Sequence, residues 1–184
     1  MRIIIVGCGK VGSALAEQLS ADGHDLTLVD QSERRLSELA NTFDVATVTG
    51  NGTSYHVLKE AGVKETDLLI AVTTHDEINL LACLIASKAS GCHTIARVRD
   101  PQYVSEVGFI RDELGLSMVI NPEMSTARVV SRLIRFPSAI GVGTFAKGRI
   151  ELLDIRIPEK SRLNGMAVCE VNPLLHTDVL LCMV

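Results

Sequence analysis

Over residues 1–120 the apolar pattern changes period repeatedly: short continuous apolar runs alternate with stretches whose apolar residues recur three and four positions apart. The continuous runs predict strands at Arg2 to Val6, Asp25 to Val29, Val45 to Thr49, Leu68 to Val72, Thr94 to Val98 and Ser117 to Ile120. Several are too uniformly apolar to leave one face in water, as is usual for parallel strands covered on both sides. The intervening stretches, Val11 to Ala21, Glu33 to Asn41, Tyr55 to Glu60, Glu77 to Ser90 and Tyr103 to Glu113, predict the covering helices. Ser32 and Asp76 each stand where an N-cap would precede a helix. Six successive strands with short connections predict an α/β fold built on a doubly wound parallel sheet.

From Asn121-Pro122 the pattern differs. Pro122 opens a helical stretch that reaches about Arg135, and Phe136-Pro137-Ser138 ends it. Ile150, Leu152, Ile155 and Ile157 then alternate with Arg149, Glu151, Asp154 and Arg156, and a phase slip at Leu152-Leu153 predicts a β-bulge in a half-exposed strand. The final Asp178 to Val184 reads as one more strand-like run. The expected division is a sheet domain over residues 1–120, a crossover helix and linker over 121–138, and the start of a small α+β unit over 139–184. A unit of about 45 residues rarely holds a core alone. This one is therefore expected to be partial, completed by further chain or by a partner.

Composition narrows the classes. A length of 184 residues fits one main core and an appendage. With 47% hydrophobic and 22% charged residues the chain is neither disordered nor collagen-like. Aromatic residues at 3%, no Trp and a formal net charge of -4 remove the stacking platforms and the basic surface that nucleic-acid binding needs, so no nucleic acid is expected as a partner. No apolar run approaches the roughly 18 residues of a membrane-spanning helix. The apolar start breaks at Gly7, too early for a secretion signal, so a soluble chain is expected. Five cysteines, at 8, 83, 92, 169 and 182, form no C-x-x-C pair and read as reduced, cytosolic and mostly buried.

The strongest candidate chemistry is Gly7-Cys8-Gly9-Lys10-Val11-Gly12, a G-x-G-x-x-G that follows the first strand and opens the first helix. In that context Gly7 permits a tight turn, Gly9 lets a pyrophosphate approach the backbone, and Gly12 lets helix and strand pack closely. The free N–H groups of the helix start then face the anion. This makes the sheet Rossmann-like. Asp30 ends the second strand about 20 residues on, where a carboxylate accepts bonds from both ribose hydroxyls and repels a 2′-phosphate, favouring NAD over NADP. Arg34 and Arg35 beside it weaken that exclusion.

Two further loops fall on the same edge of the sheet. Gly50-Asn51-Gly52-Thr53 follows the third strand, and Asn51 there is either an adenine contact or part of a plain Gly-rich turn. Thr73-Thr74-His75-Asp76-Glu77 follows the fourth, with hydroxyls and amides able to face the middle of a dinucleotide. Arg97 and Arg99 flank Val98 and point to one side, suited to phosphate or carboxylate, or else to ion pairs with Asp100 or Glu106. An enzyme needs an acid or base near the nicotinamide, and His75 is the only well-placed histidine. A small NAD-dependent oxidoreductase therefore stands as the alternative to a protein without catalysis, and a redox-sensing transcription factor lacks a basic recognition helix.

These residues together resemble the nucleotide-binding regulatory domain of potassium channels and transporters, the RCK or KTN family, and within it the Trk-type uptake regulators. The resemblance runs through Ile3 to Gly12, Leu28-Val29-Asp30, Ala71-Val72-Thr73 with Asp76-Glu77 and Asn79-Leu80, Ile95 to Pro101, and Asn121-Pro122-Glu123. Leu163-Asn164-Gly165-Met166 looks like the opening of the family's C-terminal effector domain. The resemblance implies a homo-oligomeric cytoplasmic protein, peripheral at the inner face of the cell membrane, without catalysis. It implies binding of NAD or NADH, with ATP or ADP as the other candidates, and a membrane potassium-translocating subunit of the TrkH or KtrB kind as partner. By the same carry-over Gly7, Gly9 and Gly12 hold phosphates, Asp30 the ribose, Asn51 and Thr73 the adenosine side and the central cleft, and Arg97 the phosphate side, with Lys10, Val11, Gly50 and Thr74 completing the expected cofactor-binding residues. Lys10 matches a position from which some relatives reach a neighbouring subunit's nucleotide, and Glu123 matches an intersubunit cation ligand. Relatives often carry an acid where Asn51 stands, and Trk-type regulators commonly carry two such modules where this chain has one.

Overall fold

Ile3, Ile4, Ile5 and Val6 are all buried along strand β1, Arg2–Val6. A strand apolar on both faces has to be covered on both, which places it inside a sheet. The computed structural model describes residues 1–146, 149–176 and 180–183. In it β1 lies within a six-stranded sheet with β2 (Asp25–Asp30), β3 (Ala46–Thr49), β4 (Leu68–Ala71), β5 (His93–Arg97) and β6 (Met118–Ile120). The order is β3-β2-β1-β4-β5-β6, and every pairing is parallel. This is the doubly wound, Rossmann-like sheet that the sequence predicts.

Alternation along the strands divides the core in two. Ile3, Ile5, Leu26, Leu28, Ile70 and Val72 pack with Ala16 of helix α1 (Lys10–Ala21) and Leu36 of α2 (Glu33–Ala40). Ile4, Val6, Val29, Leu69 and Ala71 pack with Leu58 of α3 (Tyr55–Glu60) and with Leu80 and Cys83 of α4 (Asp76–Ser90). Each face thus has its own set of helices, fixed by the period of two in the strands. The outer strand β3 buries only Val48, so the expectation of cover on both faces fails at that edge.

Local departures have local causes. Ser32 caps α2 as expected, accepting from the Arg35 amide. Asp76 does not cap α4; it is the first helical residue, and its Oδ2 accepts the amides of Arg99 and Asp100 beyond β5. The predicted helix Tyr103 to Glu113 is two, α5 (Pro101–Ser105) and α6 (Val107–Leu114). Asp100 and Pro101 start the first one early, and it closes where the Glu106 amide bonds the Tyr103 carbonyl.

The chain divides into two compact units, Met1–Ser125 and Thr126–Val184. Helix α7 (Pro122–Arg135) begins in the first and continues in the second. The second unit also holds the antiparallel pair β7 (Ala139–Phe145) and β8 (Ile150–Ile155) and helix α8 (Val168–Leu175). The register shift lies on β7, between Ala139 and Gly141, and β8 runs regularly through Leu152-Leu153, which corrects the expected bulge. Among the described residues of this unit only Val171 is buried. Of the predicted final strand, Leu180 to Met183 has no regular structure, and Asp178, Val179 and Val184 lie outside the described residues. The thin core also exposes Cys169 and Cys182, so the cysteines are not mostly buried; only Cys8 and Cys83 are. No helix among the described residues is long and apolar enough to cross a membrane.

Candidate functional site

The chain winds outward from β1 through β2 to β3, then crosses back to β4 and winds outward the other way. At that switch the connections after β1 and β4 diverge and leave a crevice at the carboxyl ends of the strands. A cleft of about 670 Å3 opens there. It is lined by Gly7, Gly9, Lys10, Val11, Asp30, Gly50, Asn51, Thr73, Thr74, Arg97 and Glu123, so every sequence-predicted site residue except Gly12 meets at one place. Gly12 faces the strand instead, where a Cβ would stand 1.9 Å from the Gly7 carbonyl oxygen. Its role is close packing of α1 on the loop.

The glycine loop has little freedom. Gly7 has φ +99°, and a Cβ on it would come within 2.8 Å of the Thr73 amide nitrogen. Gly9 meets nothing within 4 Å of where its Cβ would be, so the backbone there is open to the cleft. The first-turn amides of α1 have no intrahelical acceptors and carry the positive end of the helix dipole.

Asp30 is engaged on both oxygens. Its Oδ2 accepts the Cys8 amide at 2.7 Å and its Oδ1 the Ser32 amide at 2.8 Å, with the Arg35 guanidinium at 3.9 Å. The carboxylate therefore ties the glycine loop to the start of α2. Burial pushes the Cys8 thiol up to about 12, the Asp30 carboxylate adds to the rise and Arg35 opposes it. At neutral pH that thiol carries no nucleophilic thiolate.

Asn51 uses its side-chain oxygen to accept the Thr53 amide and hydroxyl, at 3.0 and 2.9 Å, which makes it a turn former. The Thr73 hydroxyl donates to Asn79 Oδ1 at 2.7 Å, and the His75 amide donates to that hydroxyl at 3.2 Å. Arg97 is buried and pairs with Glu123, while Arg99 lies 3.7 Å from Asp76 and donates to the Thr74 carbonyl. The ion pairs expected with Asp100 or Glu106 are thus replaced by partners on α7 and α4. The Arg97 hydrogen bond holds the Glu123 carboxyl below the usual carboxylate range, against a smaller opposing effect of burial. Arg97 Nε and Asp76 Oδ1 are buried without a hydrogen-bond partner. No group of three or more His, Cys, Asp or Glu among the described residues is placed to hold a metal ion.

Gln31, Ser32, Arg35, Ile78, His75 and Arg99 also line the cleft. Ser32 reads in the sequence only as a cap and Arg35 only as a nearby charge. Gln31 and Ile78 carry no sequence signal beyond their adjacency to Asp30 and to the first turn of α4.

Comparison with known proteins agrees with this geometry. The curated Trk system potassium uptake protein TrkA homolog of Archaeoglobus fulgidus is 37% identical over 171 residues, covering 93% of this chain and 39% of that protein. The homolog from Methanothermobacter thermautotrophicus is 35% identical over 173 residues, covering 94% of this chain and 78% of its own length. The chain thus spans about two-fifths of the first relative and about three-quarters of the second. Among solved structures, the TrkA-N domain of inner membrane protein ybaL from Escherichia coli superposes with a TM-score of 0.64 at 28% identity, over 72% of this chain and 96% of that one. The GsuK channel bound to NAD, at 20% identity and a TM-score of 0.61, shares the fold over 79% of this chain and 25% of that one. The family model of the TrkA-N domain matches residues 3–122, which hold the sheet and every cleft residue named above except Glu123, and the chain belongs to the TrkA-N domain family.

Proposed function

We propose that the chain is the nucleotide-sensing module of a potassium-uptake regulator: it binds NAD or NADH, or alternatively ATP or ADP, and passes that state to a membrane potassium-translocating subunit without catalysing a reaction. The single observation that carries the reading is the convergence of the glycine loop, Asp30, Asn51, Thr73 and Arg97 on one cleft at the switch point of the sheet. In that reading the amides of Gly9 to Val11 take the pyrophosphate, Asp30 the ribose and Arg97 the far phosphate. The family's curated members named as potassium-uptake proteins, and the NAD held by the GsuK channel, support the ligand and the pathway.

The output is a conformation. Residues 121–138 serve as the crossover helix and linker, and 139–184 as an effector-like unit. Val129, Val130, Leu133 and Ile134 of α7 are exposed on the chain alone, and a second copy would cover them in a homo-oligomer at the cytoplasmic face of the membrane. A nucleotide with differential affinity for two arrangements shifts their populations by that difference, and about 1 to 3 kcal/mol suffices for a regulator.

Thermal unfolding with NAD, NADH, ATP and ADP, each at about 100 times its dissociation constant, tests the reading. A bound nucleotide adds about 2.7 kcal/mol, and the midpoint rises by several degrees. Asp30→Ala is expected to lose most of that rise. No shift with any nucleotide would overturn the reading. Hydride transfer from NADH to a panel of carbonyl compounds, abolished by His75→Ala, would establish the oxidoreductase in its place.

A further inference from the structure

Asn79 sits one turn into α4, fully buried among Leu80, Ala82 and Cys83, where an amphipathic helix would ordinarily place an apolar residue. A buried amide is tolerated only when its hydrogen-bonding capacity is met. Here it is met completely. Oδ1 accepts the Thr73 amide at 2.8 Å and the Thr73 hydroxyl at 2.7 Å. Nδ2 donates to the Thr73 carbonyl at 3.3 Å and to the Arg97 carbonyl at 2.8 Å. Two lone pairs and two N–H groups thus serve four partners on two different strand exits.

The location of those partners gives the amide its purpose. Beyond Ala71 and Ala96 the ladder between β4 and β5 ceases. The backbone of Thr73 would then lack sheet partners on both its N–H and its C=O, and the Asn79 side chain supplies both. On its other side Thr73 abuts Gly7, whose absent Cβ would lie 2.8 Å from the Thr73 nitrogen. Arg97 O, Asn79, Thr73 and Gly7 therefore form one continuous strut across the floor of the cleft. We infer that Asn79 is a positioning residue: it touches no ligand, and it fixes the separation between the glycine loop and Arg97 that a dinucleotide or nucleoside polyphosphate must span. The inference rests on the nucleotide reading of the cleft and adds the residue that presets its width.

The test measures NAD and AMP binding by titration calorimetry on the 184-residue chain, on Asn79→Leu and Asn79→Asp, and on Val63→Ala as a core control in the turn between α3 and β4. Asn79→Leu removes all four bonds, and Asn79→Asp removes the two that Nδ2 donates. Both are expected to weaken NAD by about tenfold or more, with a smaller loss for AMP, which engages only the Gly7 and Asp30 half. Val63→Ala is expected to lower the unfolding midpoint and leave the NAD constant unchanged. A folded Asn79→Leu that binds NAD as tightly as the parent, or a Val63→Ala that weakens NAD equally, would overturn the inference. If the variants do not fold, hydrogen exchange on the parent decides: the Thr73 amide is expected to be protected like the core of β4, and loop-like exchange there would refute the strut. Absence of any NAD or AMP binding by the parent, with Thr73 protected, would remove the nucleotide reading and show the strut to be part of the fold alone.

Discussion

Two cavities of similar size open at opposite ends of the same sheet, about 670 Å3 at the carboxyl ends of the strands and about 590 Å3 at the amino ends. Volume does not distinguish them; backbone polarity does. In a βα repeat every helix starts at one edge of the sheet and ends at the other, so the positive ends of the helix dipoles gather at the carboxyl side. The starts of α1, α2 and α4 contribute Gly9, Lys10, Ser32 and His75 to the first cleft, together with Arg35, Arg97 and Arg99. The second is lined by the ends of α1 and α3 and by Asp25, Asp44 and Glu65, with Arg2 and His24 the basic groups. One end of the sheet therefore suits an anion and the other does not.

Glycine substitutions separate the two ends most sharply. Gly12→Ala places a Cβ 1.9 Å from a backbone carbonyl that no side-chain motion can clear. The loop or the helix start must move, at a cost of about 3 kcal/mol or more. The expected result is an unfolding midpoint lower by about 6–12 °C and loss of the nucleotide-induced rise. A midpoint within a degree of the parent would mean that α1 does not pack on the loop as described. No glycine at the amino-end cavity is expected to be as costly.

This contrast also explains what the sequence disclosed. The glycine loop, Asp30 and the strand order are set by local rules, one turn geometry and one periodicity, and they are readable before any tertiary contact is known. Asp76 reads locally as a cap and, within the family-like stretch, as one of the residues that carry the resemblance, but its structural partners stay hidden because the amides of Arg99 and Asp100 that claim it lie more than 20 residues away in sequence. Asn79 falls in the stretch that carries the family resemblance, yet its structural role has no local signal, since a lone polar residue in a helix reads as a solvent-facing position until its four partners are in view. Strand β7 contains Gly141 and Gly143, which weaken a strand pattern, and Pro173 inside α8 argues locally against the helix it occupies. Both belong to the second unit, where little burial reinforces the local preference.

A smaller effect probes the charge at the cleft. Glu123 is half exposed, so its pair with Arg97 is worth no more than about 1 kcal/mol. Its carboxyl is held below the usual value, so the folded state favours the ionised form. Stability from the pair is therefore fully present above the ordinary carboxylate value and is lost as pH falls through the lowered folded value. Unfolding midpoints of the parent and Glu123→Gln are expected to differ at neutral pH and to converge as pH falls below the ordinary glutamate value and through the lowered folded one. A difference that persists unchanged to lower pH would show that the ion pair is not its source.

The smallest effect on nucleotide binding belongs at the amino end. Gly62 follows the end of α3 with φ +83°, the left-handed residue that terminates a helix, and its amide bonds the Lys59 carbonyl. Nothing lies within 4 Å of where its Cβ would be, so only backbone strain opposes a side chain. Gly62→Ala is expected to cost about 1 kcal/mol, the left-handed penalty less the entropy that alanine removes from the unfolded chain. Gly62→Asn should cost less, because asparagine tolerates this conformation better than alanine does. Neither is expected to alter nucleotide binding, since the cavity they line is not the cleft. Equal losses for Ala and Asn would place the cost in packing and not in φ, and a change in nucleotide affinity would couple the two ends of a sheet whose dipoles and side chains keep them apart.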